Sequence, residues 1–256
     1  MGEYSLNTDF SSLQEPQAGE WILHFSKLAE EAFEDVDSRR RVLANLLVLE
    51  RFINTLRQGL AANKAKISKG LEEARRLLWD YLNGYVEPDA FQDFANNYYA
   101  CLYALNVGDV DIDAPKEFYT EYFGDSNLES YERIAIEYSS ILLIELVSLA
   151  GGRIDFDDFK DCTKIDFYVV DNIIHLLKDA CIELTHTPRP SSSASNQPKA
   201  EQQLHCTPLF RELIKHIQDD LQLALTDNMV DLFALKQAYT HHTILPQEYA
   251  QKLLEY

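Results

Sequence analysis

The sequence predicts an all-α or mainly α fold, a multihelical bundle-like core, with a short strand pair near 109–113 and 153–168 as the one β alternative. Two observations carry this reading. Apolar residues recur at spacings of three and four along most of the chain, which places them on single helical faces. Serine, proline and glycine stand at the ends of those runs, where helices start and stop. With 256 residues, 46% hydrophobic and 25% charged, the chain has the balance of a globular protein and enough length for a substantial core.

Residues 1–19 are polar, include Pro16 and Gly19, and read as a flexible lead. A first helix begins near Glu20, with Trp21, Phe25, Leu28, Ala29 and Ala32 on one face. Ser38 is placed to cap a second, which runs to about Gly59 and presents Val42, Leu46, Leu49, Phe52, Ile53, Leu56 and Leu60 as a stripe wide enough to be buried. A third covers 65–83 and stops at Gly84. Pro88 suits a first helical position, and the fourth helix that follows has a strongly aromatic inner face of Phe91, Phe94, Tyr98, Cys101 and Leu102.

Pro115 opens a short helix with Phe118, Tyr119 and Tyr122, halted by Gly124. Residues 128–149 give a strong helix signal that ends at Gly151-Gly152, and its run SSILLIELVSLA is apolar on most sides, so it belongs at the centre. A further helix is expected from about Asp166 to Leu184. Residues 20–186 thus form the main helical domain. The stretch 187–203, with three prolines and a serine run, is a mobile linker. Residues 204–256 hold a helix from Pro208 and shorter ones at 228–238 and 246–254. About fifty residues are few for an independent core, so this segment is expected to dock on the main domain.

Charge is unevenly placed. The formal net charge is -19, yet residues 1–86 carry 13 acids and 11 bases, residues 87–186 carry 21 and 6, and residues 187–256 carry 8 and 6. The excess therefore lies in the acidic section 87–186. Such a section repels phosphate backbones, which excludes nucleic acid as its ligand, and it steers a basic protein toward itself. Arg39, Arg40 and Arg41 open the second helix, where bases oppose the helix dipole, and Glu34, Asp35 and Asp37 are their nearest candidate partners.

The remaining chemistry is sparse. No segment is apolar for long enough to span a bilayer, so no membrane partner is expected. No basic region followed by an apolar stretch marks a secretory signal, and Leu6 stands where a myristoylation signal has serine or threonine. Cys101, Cys162, Cys181 and Cys206 form no CxxC pair and read as thiols of a reducing compartment, which points to the cytoplasm. No Gly-rich phosphate loop, GxSxG elbow or HExxH helix is present. Asp171, His175, Asp179 and Glu183 share one helical side, and Glu183 and His186 have ligand spacing, but no second Glu-x-x-His exists to complete a dinuclear site; Asp179, Glu183 and His186 are thus weak metal candidates. Asp109, Asp111 and Asp113 begin like a calcium loop, but Ala114 and Thr120 replace its glycine and glutamate. No cofactor is expected.

The best candidate for function is acids mixed with aromatics: Asp109, Asp111, Asp113, Glu117, Tyr119, Glu121 and Tyr122, with a second patch at Asp155, Asp157 and Asp158. Charge steers an encounter and rings supply compact contact area. The sequence therefore predicts a non-enzymatic acidic module that binds a basic protein, as an inhibitor or an immunity- or antitoxin-like neutraliser. A self-associating structural or adaptor protein is the alternative, and a carboxylate/histidine metal enzyme is a third.

Overall fold

The computed structural model describes residues 21–62, 67–107, 116–124, 130–160, 162–184, 207–226 and 231–253. They form helices α1 (Trp21–Ala32), α2 (Ser38–Ala62), α3 (Lys69–Leu82), α4 (Gln92–Val107), α5 (Lys116–Tyr122), α6 (Ser130–Leu149), α7 (Tyr168–Leu184), α8 (Pro208–Leu225), α9 (Leu232–Tyr239) and α10 (Gln247–Leu253). Two 3-10 turns, Pro88–Phe91 and Asp157–Phe159, complete the elements, and no strand occurs among the described residues. The fold is an all-helical bundle.

The strand pair is thereby corrected over its described half. Residues 153–160 and 162–167 are loop around the short 3-10 turn, while 109–113 and 161 lie outside the described residues. The reason is where the backbone hydrogen bonds go. Arg153 N–H donates to Gln92 Oε1 at 2.6 Å, Asp155 N–H donates to Asn96 Oδ1 at 3.2 Å, and Arg153 O accepts from Asn96 Nδ2 at 3.0 Å. Side chains of α4 satisfy the groups that a partner strand would have used.

Local boundary chemistry explains most of the helix ends. Ser68 accepts from Leu71 N–H and begins α3 several residues later than the periodicity suggests. Thr207 caps α8 through Phe210 N–H, with Pro208 at its first position, and Asp231 caps α9 through Phe233 N–H and Ala234 N–H. At α2 the cap is Asp37 rather than Ser38: its Oδ1 accepts from Arg40 N–H at 3.1 Å. Gly84, Gly124 and Gly151 take positive φ just past α3, α5 and α6, the left-handed stop for which glycine has no Cβ penalty.

Helix α2 is the axis. Every residue from Arg41 to Leu56 is buried, and the helix packs against α3, α6, α7, α8 and α10. The stripe read from the sequence is therefore too narrow: Leu43, Leu47 and Val48, off that stripe, are buried as well. Helix α6 is the second central element, buried continuously from Tyr138 to Val147, as its apolar run requires. One core cluster runs from Phe25 in α1 to Leu245 before α10, so residues on both sides of the stretch 187–203, which lies outside the described residues, share it.

The three arginines at the start of α2 do not chiefly pair with acids; among the described residues only Arg40 does, with Asp37 at 3.6 Å. Each instead reaches the carbonyl end of another element. Arg39 donates to Leu82 O at the end of α3, and Arg40 Nη1 donates to Leu225 O at the end of α8 at 3.1 Å. Buried Arg41 donates to Phe33 O and Glu34 O after α1, to Val36 O, and to Ile165 O ahead of α7. Helix C-termini carry the negative end of the dipole, so the positive start of α2 is offset by neighbours brought to it in space.

Candidate functional site

Two kinds of charged site emerge, one inside and one on the surface. Inside, Glu50 and Arg51 are consecutive residues of α2 that face opposite flanks. Glu50 accepts from Arg75 Nε at 2.6 Å and from Trp79 Nε1 at 2.6 Å, and Arg75 also reaches Glu72 at 3.0 Å. Arg51 holds Asp220 of α8 in a two-pronged contact, Nε to Oδ2 at 2.7 Å and Nη2 to Oδ1 at 2.9 Å. Tyr239 donates its hydroxyl to the same Asp220 oxygen and lies under the Arg51 guanidinium, 5.2 Å from ring centroid to Cζ. Burial opposes the Arg51 charge, but the hydrogen bonds and charge of Asp220 outweigh it and raise its pKa.

The same flank of α2 fastens the turn between α9 and α10. Asn54 Nδ2 donates to Tyr239 O and His242 O, and Thr55 Oγ1 accepts from Ile244 N–H at 3.0 Å. His216 of α8 stands nearby with its pKa lowered, by burial and then by Arg51. An arginine, an aspartate, a tyrosine and a histidine in one place invite a catalytic reading. The geometry assigns them to structure: Asp220 is wholly buried, its two oxygens are taken by Arg51 and Tyr239, and Thr55 serves backbone groups on both sides. Sequence reading missed this network because Asp220 sits among Leu213, Ile217 and Leu221. The available signal was a helix apolar all round with Glu50-Arg51 at its middle.

On the surface, helix α4 organises the predicted acidic patches. One of its flanks carries α5: Phe94 meets Phe118 and Tyr122 with ring centroids 5.4 and 5.3 Å apart, and Tyr98 stacks on Phe123 at 5.7 Å. The other flank carries the segment 153–159: Tyr99 meets Phe156 and Phe159 edge-on at 4.5 and 5.3 Å, beside the Asn96 and Gln92 hydrogen bonds described above. Between the flanks runs a strip of Asp93, Asn97 and Ala100, with a polar groove of about 230 Å³ at Gln92, Asp93, Asn96, Asn97, Arg153 and Asp155. The described members of the two patches, some forty residues apart in sequence, thus border one strip.

Their members are placed as follows. Glu117, Glu121, Asp155, Asp157 and Asp158 are exposed, and Tyr119 and Tyr122 are half-buried. Glu121 pairs with Lys69 at 2.6 Å, Asp155 with Arg153 at 3.1 Å, and Asp157 with Lys160, which lowers the Asp157 pKa. Lys69 also lies 4.6 Å over the Tyr122 ring. Asp109, Asp111 and Asp113 lie outside the described residues.

The metal candidates come together only in part. On α7, His175 Nε2 is 3.8 Å from Asp171 Oδ1, and Asp179 is exposed, while the Glu183 side chain and His186 lie outside what is described. Among the described residues no three His, Cys, Asp or Glu side chains are grouped to hold a metal ion, and no helix is long and apolar enough to cross a membrane. Cys101 and Cys181 are buried thiols pushed up to about 12 by burial, and Cys162 is a half-buried free one. No protein-family model, curated protein or solved structure matches the chain.

Proposed function

We propose that the chain is an acidic protein-binding module that neutralises a basic protein, in the manner of an inhibitor, immunity protein or antitoxin, through the strip along α4. The observation that carries this reading is the meeting of two acidic segments on the two flanks of one partly exposed helical strip. Rings and hydrogen bonds inside the segments hold them to α4, which leaves carboxylates at the surface. The partner is accordingly met by Glu117, Glu121, Asp155, Asp157 and Asp158 more than by Tyr119 and Tyr122. Fixed acids on a rigid helical support attract a complementary basic surface and set its orientation. The thiols support a reducing compartment such as the cytoplasm.

The test is capture from the native host at low and moderate salt, with the wild type beside a Glu117→Lys/Glu121→Lys/Asp155→Lys/Asp158→Lys variant. One dominant basic protein, weakened by salt and lost with the variant while far-ultraviolet circular dichroism is unchanged, is the expected result. Equal capture by both proteins removes the strip from consideration. Self-association is the second reading, favoured by Tyr85 and Phe233, which are 71% and 61% exposed. A mass that stays monomeric over the accessible concentration range in sedimentation eliminates it.

A further inference from the structure

Glu145 lies near the end of α6, almost wholly buried, and its Oε2 meets no hydrogen-bond donor. Its carboxyl lies beside the backbone N–H of Asp166. The carbonyl of that same residue is held by α2: Asn45 Nδ2 donates to Asp166 O at 3.0 Å and to Arg41 O at 3.0 Å. Arg41 Nη1 adds a bond to Ile165 O at 3.3 Å. Helices α2 and α6 therefore converge on Asp166, in the connection into α7, and α2 holds Ile165 as well. Asn45 is fully buried too, and its Oδ1 also meets no donor.

Two buried acceptors at one clasp, each without a donor, signal a missing proton. Turning the Asn45 amide over is no remedy, because its Nδ2 already serves two carbonyls. The charged surroundings give an anion no support. Asp166 contributes a like charge, itself paired with Lys164 at 3.5 Å, and the Cys162 thiol is raised by burial and then by Glu145. On α2, Arg41 is committed to carbonyls. Around the 3-10 turn, Asp157 and Lys160 pair with each other, and on α7 Asp171 pairs with His175 while Tyr168 donates to Glu137.

We propose that Glu145 is a proton-held latch: as the neutral acid it accepts from Asp166 N–H and donates its own proton to Asn45 Oδ1, and on losing that proton it releases residues 162–167 from α2 and α6. Burial, then the charge of Asp166, pushes the carboxyl up to about 8, so the latch is closed at neutral pH and opens in mild alkali. The folded-state value lies above that of the unfolded chain, at about 4.3. The latch's contribution to stability is thus complete below that lower value, declines as pH rises between the two, and is spent above the folded-state one. The latch does not depend on the proposed partner.

Glu145→Gln keeps the size, the acceptor for Asp166 and a donor for Asn45, but has no proton to lose. In thermal unfolding of the full chain between about pH 4.5 and 9.5, the wild type should lose roughly a factor of ten in its folded-to-unfolded ratio per pH unit, relative to the variant, until the two curves run parallel. Identical pH profiles overturn the proposal. Should the variant fail to fold, the side-chain carboxyl resonance of Glu145 in the labelled wild type decides: a midpoint well above the ordinary carboxylate range supports the latch, and one within it refutes it. Hydrogen exchange at the Asp166 amide tests the release itself. Protection that falls above that midpoint, while the α6 interior stays protected, is expected, and unchanged protection contradicts it.

Discussion

In α2 the side chains of Glu50 and Arg51 are nearly out of reach of water, and each is answered by dedicated partners from another helix. Beside α4, Asp155 and Asp157 stand in water and pair with Arg153 and Lys160, two and three positions away. The first arrangement ties distant parts of the chain together, since Arg51 and Asp220 are separated by 169 residues. The second leaves its neighbours in sequence where the backbone already put them. Buried pairs act on the fold, where losing one partner strands a charge in low dielectric. Exposed pairs are weak and screened, and so remain free to exchange their partners for another molecule's.

The comparison breaks most easily at α2. Arg51→Ala or Asp220→Ala should each destabilise the protein by about 3–5 kcal/mol in urea unfolding, because the surviving charge stays buried without its counterpart. Arg51→Met with Asp220→Leu should recover most of that loss; if the double variant is no better than the singles, the pair is not the tie described here. Glu50→Ala is expected at the lower end of that range, about 3 kcal/mol, since it takes the acceptor from buried Trp79 Nε1 and leaves Arg75 with Glu72 alone.

A smaller effect links the two regions. A Cβ added at Gly152 would lie 2.6 Å from Val147 Cγ1 and 2.9 Å from Gln92 Oε1, the acceptor that holds Arg153 N–H. Gly152→Ala should destabilise by about 1–3 kcal/mol and loosen the segment 153–159, readable as faster amide exchange at Arg153 and Asp155. An unchanged unfolding midpoint would mean that α6 and α4 yield there without strain. Smallest of all, Asp158→Lys should leave the midpoint within the scatter of measurement, and a loss comparable with that of Asp220→Ala would end the distinction between the two regions.

Much of this was legible in the letters. Among the described residues the helices and the central place of the run within 128–149 followed from apolar spacing, and Gly84, Gly124, Pro88 and Pro208 marked boundaries by local backbone chemistry. Glu117, Asp155 and their neighbours were visible as acids. Their position on opposite flanks of α4 was not, because it depends on which rings pack where: Phe94 with Phe118, Tyr99 with Phe156. The short strand near 153–168 misled because β-branched and aromatic residues suit a loop that buries Ile154, Ile165 and Phe167 as well as they suit a strand. Arg39, Arg40 and Arg41 looked misplaced at a helix start for the same reason. The carbonyl ends they serve come from α1, α3 and α8, and no local rule reports what a neighbour in space will offer.

By itself, then, the sequence determined what depends on residues within a few positions of each other: helical periodicity, caps, stops, and the acidic excess of 87–186. Tertiary structure alone decided which charges are buried and what answers them. Glu50, Arg51, Glu145 and Asp220 carry the same letters as any surface residue, and only close packing of distant helices, which removes water and leaves each polar atom to the partners that happen to converge on it, gives them their roles.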